Sequence, residues 1–300
     1  MLNLFVRKEK VHRPIFVVGC GRAGTTLLFQ LLQQHPTLAP TTGYPDGEDH
    51  IGWVKYGKAL ISGLGNMHKE PGVTGHHYCL HMDEADVTEA TIREMRDYYW
   101  NEVLQRNARK RVINKNPHLS NKLRYVRAIF PDARFIHVVR DCLPTVYSWI
   151  KVMREQKELV LHWPDTAYPC FWVMPASEDN RPREETFRNE TRMYPGGGEH
   201  HLVDYWIETN RNIPRQLEDT PDQLYTLRYE DLVADPLKHL NLVAEFCGLD
   251  QGFDNVPETL TCGRITTRRN EEYKNALGPE KMDEWLSRAA SVRQMFGYAG

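Results

Sequence analysis

Three hundred residues are enough for one large α/β domain or two small ones. A hydrophobic fraction of 41% and a charged fraction of 26% are ordinary for a soluble globular protein. The formal net charge of -2 gives no global attraction for nucleic acid or an anionic membrane, so any anion site must come from local arrangement.

The opening stretch, MLNLFVRKEKVHRP, has too short an apolar run for a signal peptide or a membrane anchor. The run PIFVV at 14–18 predicts a first strand and 25–35 a first helix. A short second strand is expected at 37–41 and one long amphipathic helix over 84–107. RVINK at 111–115 predicts a strand and 119–129 a helix. ARFIHVVR at 133–140 predicts a strand, and 144–157 a helix with Pro144 at its start. A helix over 203–218, a strand over 222–229 and a helix over 236–248 stopped by Gly248 complete the pattern. No segment approaches the roughly 18 apolar residues of a membrane span.

This alternation predicts an α/β fold: a central parallel sheet flanked by helices, in the three-layer architecture of P-loop nucleotide kinases. A single domain over residues 1–300 is expected, with long loop excursions at about 43–83 and 159–201 that shape an acceptor pocket. The six cysteines (20, 79, 142, 170, 247 and 262) include no C-x-x-C pair, which favours a reducing compartment and a cytoplasmic location. The adjacent pairs His76-His77 and His200-His201 point apart on any strand or helix, so no metal site is expected.

In such sheets ligands collect beyond the carboxyl ends of the strands, here at Gly19, Lys115, Arg140 and Tyr229 onward. The first of these is the most informative. FVVGCGRAGTTLL spaces Gly19 and Gly24 like a nucleotide P-loop, with Thr26 at its Ser/Thr position. Thr25 stands where that loop carries its lysine. Glycines after a strand let successive N–H groups face one anion, and the helix that follows adds its positive end. Thr25 and Thr26 offer hydroxyls, and Arg22 supplies the missing charge as a fork. The missing lysine argues against ATP or GTP hydrolysis and suits a nucleotide with a simpler 5′ group.

The segment GCGRAGTTLL resembles the 5′-phosphosulfate loop, commonly G-x-P-R-S-G-T-T, of sulfotransferases that use 3′-phosphoadenosine 5′-phosphosulfate (PAPS) and release PAP. The resemblance implies donor contacts from Gly21, Arg22, Ala23, Gly24, Thr25 and Thr26. It also demands a second anion site for the 3′-phosphate. IHVVRDCLPTVYSW supplies Arg140 at a strand end and Ser148 eight residues later, the family's pair for that phosphate. LYTLRYEDLVADP is similar to the family's Y-E-D-L turn, which implies Tyr229 near the adenine or its ribose. Glu230 and Asp231 are expected to cap the next turn. NKNPHLSNKLRYVRAIFPDARFIHVVRD follows the family's progression from lysine to strand-end arginine, so the likeness covers roughly 14–35 and 111–250. Gly21 and Ala23 depart from the usual proline and serine, and Cys142 and Pro144 from the common continuation. The R-K-G triplet that some members use is missing, and Arg264, Arg268 or Arg269 would have to replace it.

The expected chemistry is in-line transfer of a sulfonate group to a hydroxyl, or less readily an amine, of a small-molecule, carbohydrate or peptide acceptor. The protein chiefly positions and neutralises. By the resemblance Lys115 is the catalytic lysine, and Arg22, Lys115 and backbone N–H groups carry the charge with no metal required. Some members place a basic histidine two residues after the lysine, where this chain has Pro117. Others use a glutamate after the first helix and its following strand, which selects Glu48, with His50 and His118 behind it. Trp53, Tyr56, Trp163, Tyr168 and Trp172 could stack on an acceptor or be ordinary core. Two rival readings stand beside this one. A metabolite kinase would use Asp141 to hold Mg²⁺, and a non-catalytic nucleotide-binding module would bind donor without transfer.

Overall fold

Strand β1 (Ile15–Val18) is apolar at every position and buried at every position, as a central parallel strand covered on both faces must be. The computed structural model describes residues 11–41, 48–59, 82–107, 111–156, 158–163, 170–175, 200–257 and 271–298. Helix α1 (Thr25–Leu32) follows β1, and β2 (Leu38–Pro40) follows α1. Helix α2 (His50–Lys55) and α3 (Glu89–Tyr98) come before β3 (Arg111–Lys115). Next are α4 (Leu123–Ile129), β4 (Arg134–Val139), α5 (Cys142–Gln156), β5 (Glu158–Trp163), β6 (Cys170–Pro175) and α6 (His200–Gln216). The last described elements include β7 (Leu224–Arg228), α7 (Tyr229–Ala234), α8 (Pro236–Cys247) and α9 (Pro279–Met295).

Five strands form a parallel sheet in the order β2-β3-β1-β4-β7, flanked by helices on both faces. The strand period of two sorts the core. Phe16 and Val18 face Trp53, Tyr99, Phe130 and Phe135, whereas Ile15 and Val17 face Leu28, Leu31, Ile136 and Val138. Val17 pairs with Lys115 and Val18 with His137, so the ends of β1, β3 and β4 open on one edge, the edge where α/β sheets hold ligands.

Several elements differ from their expected form. The first helix ends at Leu32 rather than 35, because His35 turns inward and its ring bonds the Gln251 carbonyl and the Thr37 hydroxyl. The segment 84–107 is not one helix. Asp83 caps a 3-10 turn over Glu84–Asp86, Val87 is extended, and Thr88 caps α3 by accepting from the Thr91 N–H. A π turn over Tyr99–Leu104 follows, with Tyr98, at the end of α3, stacked on Tyr56 and the buried Tyr99 stacked on Phe130. Part of the expected 159–201 loop is an antiparallel hairpin of β5 and β6, with Leu161 opposite Trp172. Helix α9 was not among the expected elements; Pro279 stands at its first position, and Trp285, Ala289 and Val292, at helical spacing, are buried. Tyr229 begins a helix rather than ending a strand.

Candidate functional site

The glycine loop between β1 and α1 is built from contacts that explain its departures from the family pattern. The Gly21 N–H donates to the Tyr205 hydroxyl at 2.9 Å, and its carbonyl accepts from Trp149 Nε1 at 3.0 Å. A proline there would delete that N–H, and any Cβ would run into the Trp149 ring. Ala23 is fully buried, with its N–H on the Cys20 carbonyl at 3.1 Å. Gly24 has φ +101°, caps α1, and lies so close to the Tyr229 ring that a side chain would overlap it. Below the loop, the Ser120 hydroxyl bridges the N–H and carbonyl of Gly19 at 3.0 and 3.1 Å. No side-chain cap bond closes the start of α1, where Thr25 is buried and Thr26 half-buried. Trp149, Tyr205 and Ser120 went unnoticed in the sequence because they act through the loop's backbone.

Arg22 is exposed and holds a left-handed φ of 68°, a conformation that concentrates at functional sites. Its Nε donates to the Ser148 hydroxyl at 3.2 Å, and its carbonyl lies 3.4 Å from Arg140 Nη1. The Arg140 guanidinium sits over the Tyr229 ring, 4.8 Å from its centroid. Thus Arg22, Arg140, Ser148 and Tyr229, from four separate segments, meet beside the loop. Burial pushes the Arg140 pKa below its ordinary value; Tyr229 and Glu230 oppose this, and the neighbouring Arg22 charge adds to it. Two guanidiniums held together in this way favour an anionic ligand. Arg268 and Arg269 lie outside the described residues.

On the adjoining strand end, Lys115 is almost fully buried and its Nζ donates to Glu48 Oε1 at 2.5 Å. His118 Nε2 is 3.9 Å from the other Glu48 oxygen, and Asn116 Nδ2 donates to the Glu48 backbone carbonyl at 2.6 Å. The structure therefore brings Glu48 and His118 to Lys115. His50 opens α2, and its side chain falls outside the described residues. Behind Glu48, the Asp49 carboxyl caps α2 through the Gly52 N–H and accepts from the Tyr98 hydroxyl at 2.8 Å. Burial raises its pKa to about 7, although those two hydrogen bonds lower it.

A folded pKa above the unfolded one stabilises fully below the unfolded pKa, here 3.8, and the benefit disappears as pH rises through about 7. Asp49→Asn should therefore gain stability on the wild type with rising pH, by about 1.4 kcal/mol per unit between these limits. Urea melts at pH 5 and pH 7 measure the gap, and a constant gap would show that Asp49 is ionised throughout.

Other side chains have different partners from those expected. Trp53 is wholly buried in the core, so it is not an acceptor contact; Tyr56 stacks on Tyr98. Tyr168 and the side chains of Trp163 and Trp172 fall outside the described residues. Glu230 does not cap its own turn. Its oxygens accept from the Asp141 N–H at 3.1 Å and the Tyr298 hydroxyl at 2.7 Å, and Asp235 caps the following helix. Asp141 accepts from Arg293 Nε and Nη2 at 2.8 and 3.0 Å, which commits the carboxylate that the kinase reading needed for Mg²⁺.

A parallel sheet whose strand ends present a glycine loop, two convergent arginines and a buried lysine is the frame of an α/β enzyme that handles phosphate-like groups. The Sulfotransferase family matches residues 14–167, and the chain belongs to that family. Omega-hydroxy-beta-dihydromenaquinone-9 sulfotransferase Stf3 of Mycobacterium tuberculosis is 26% identical over 278 residues, covering 79% of this chain. The chain spans only 63% of that relative's length. Protein-tyrosine sulfotransferase 1 of Homo sapiens is 28% identical over 138 residues, 45% of this chain and 33% of that protein. The sulfotransferase domain of the Synechococcus PCC 7002 olefin synthase has a similar fold, with a TM-score of 0.53 at 20% identity over 96% of this chain and 97% of that one.

Proposed function

We propose that the chain moves a sulfo group from PAPS to an acceptor hydroxyl and releases PAP. The observation that carries this reading is the meeting of Arg22, Arg140 and Ser148 beside the Gly19–Gly24 loop, with Lys115 at the next strand end. Loop N–H groups and the start of α1 hold the donor's 5′ end. Arg140 and Ser148 hold the 3′-phosphate, and Tyr229 borders the ribose. Arg22 and Lys115 supply the positive charge at the oxygens where charge grows, so the reaction needs no metal. Glu48 takes the acceptor proton. The acceptor oxygen–sulfur bond forms as the bond from sulfur to the bridging oxygen breaks, and that electron pair stays on the 5′-phosphate of PAP. A hydroxyl acceptor is favoured because the relatives are named for an omega-hydroxy menaquinone and for protein tyrosine.

Labelled PAPS screened against phenols, sugars, lipid alcohols and tyrosine peptides, with mass spectrometry of the products, tests the reading. Loss of label only to water in every arm would refute it. Arg140→Ala should weaken PAP binding by about 1.5–3 kcal/mol, the scale of a charged hydrogen bond, and scarcely affect adenosine 5′-phosphate. Calorimetry showing equal losses for both nucleotides would remove Arg140 from the 3′-phosphate.

A further inference from the structure

Arg140 and Asp141 are the two residues that join β4 to α5, and distant segments tie this connection down almost atom by atom. The Arg140 carbonyl accepts from Trp206 Nε1 at 2.8 Å. The Asp141 carboxylate takes the Arg293 fork at 2.8 and 3.0 Å and also accepts from the Cys142 N–H at 2.6 Å. The Asp141 N–H donates to Glu230 Oε1 at 3.1 Å. Tyr298 donates to Glu230 Oε2 at 2.7 Å, and its hydroxyl lies 3.3 Å from the Val139 carbonyl.

Glu230 follows Tyr229, the ring on which the Arg140 guanidinium rests. Arg228, on the other side of Tyr229, places its guanidinium 4.4 Å from the Tyr298 ring centroid. Val139 and Arg228 are themselves partners across β4 and β7. Tyr298 and Arg293 thus grip the residues on both sides of Arg140 and on both sides of Tyr229. Arg293 lies on α9, Tyr298 lies three residues beyond it, and both are outside the 14–167 family match.

The catalytic reading assigns no part to these residues. A partly buried guanidinium facing the like charge of Arg22 keeps one direction only if its backbone and its stacking partner are held. We propose that Tyr298 and Arg293 are positioning residues that aim Arg140, and so set the preference for a nucleotide carrying a 3′-phosphate. The proposal rests on the assignment of Arg140 to that phosphate.

The test uses the full chain and calorimetry with PAP and with adenosine 5′-phosphate, alongside thermal melting. Tyr298→Phe removes one hydroxyl, and Arg293→Lys keeps the charge but loses the fork, so either variant carries the test if the other folds poorly. Each is expected to weaken PAP about five- to tenfold while adenosine 5′-phosphate changes by less than about twofold. Adding Tyr298→Phe to Arg140→Ala should cause no further loss of PAP affinity, because both act through one contact. Equal losses for the two nucleotides, or full additivity in the double variant, would reduce Tyr298 and Arg293 to scaffold and overturn the proposal. If the wild type holds PAP no tighter than adenosine 5′-phosphate, the assignment of Arg140 fails first and the proposal falls with it.

Discussion

Replacing Lys115 by methionine is expected to lower turnover about 10²–10³-fold while PAP still binds, the usual cost of removing one donor aimed at developing charge. Lys115 ends β3 beside Val17, one strand over from the glycine loop, and its side chain is only 1% exposed. Methionine fills the same volume and leaves the Glu48 carboxylate without its 2.5 Å partner. Breaking a buried pair on one side costs about 3–5 kcal/mol. Glu48 is 15% exposed, so the loss should sit at the lower end of that range. Rapid-quench measurement of a single turnover, with urea melts of the same sample, separates the two effects. Turnover within about tenfold of wild type would remove Lys115 from the chemistry.

Glu48→Gln is expected to lower turnover by about 10²–10⁴-fold with donor binding retained, the range for losing a general base. Glutamine keeps the shape and can still accept from Lys115, so the fold should suffer less than in Lys115→Met. Before donor binds, Glu48 is held by Lys115, and Asn116 fixes its backbone carbonyl. In the proposed reaction Lys115 turns to the donor's bridging oxygen while Glu48 takes the acceptor proton. His118, 3.9 Å from Glu48, is the alternative base that the structure brings beside it. His118→Asn measured beside Glu48→Gln decides between them, and wild-type turnover in Glu48→Gln together with a large loss in His118→Asn would move the base to the histidine.

Short-range pattern made much of the fold legible. An all-apolar strand, two glycines and a helix start at paired threonines describe one loop within a dozen residues, and the structure has that loop at Gly19–Gly24. The strands at 111–115 and 134–139 were readable because strand period and turn residues are local signals. The single helix expected at 84–107 failed for a local reason too: the caps at Asp83 and Thr88 divide it, and hydrophobic period alone does not weigh capping chemistry.

The sequence by itself determined the five strands of the parallel sheet, the glycine loop after the first of them, and the strand ends where Lys115 and Arg140 stand. These depend on residues a few positions apart, whose backbone preferences act wherever the chain goes. Only the tertiary structure decided what those side chains touch. Lys115 meets Glu48 across 67 residues, Arg22 meets Ser148 across 126, and Arg293 meets Asp141 across 152. It also showed why Gly21 is not proline, since Trp149 and Tyr205 claim the space and the N–H that proline would take. Such pairings arise when separate elements pack against one sheet edge. Their energies come from burial and hydrogen-bond geometry, and composition and period carry neither.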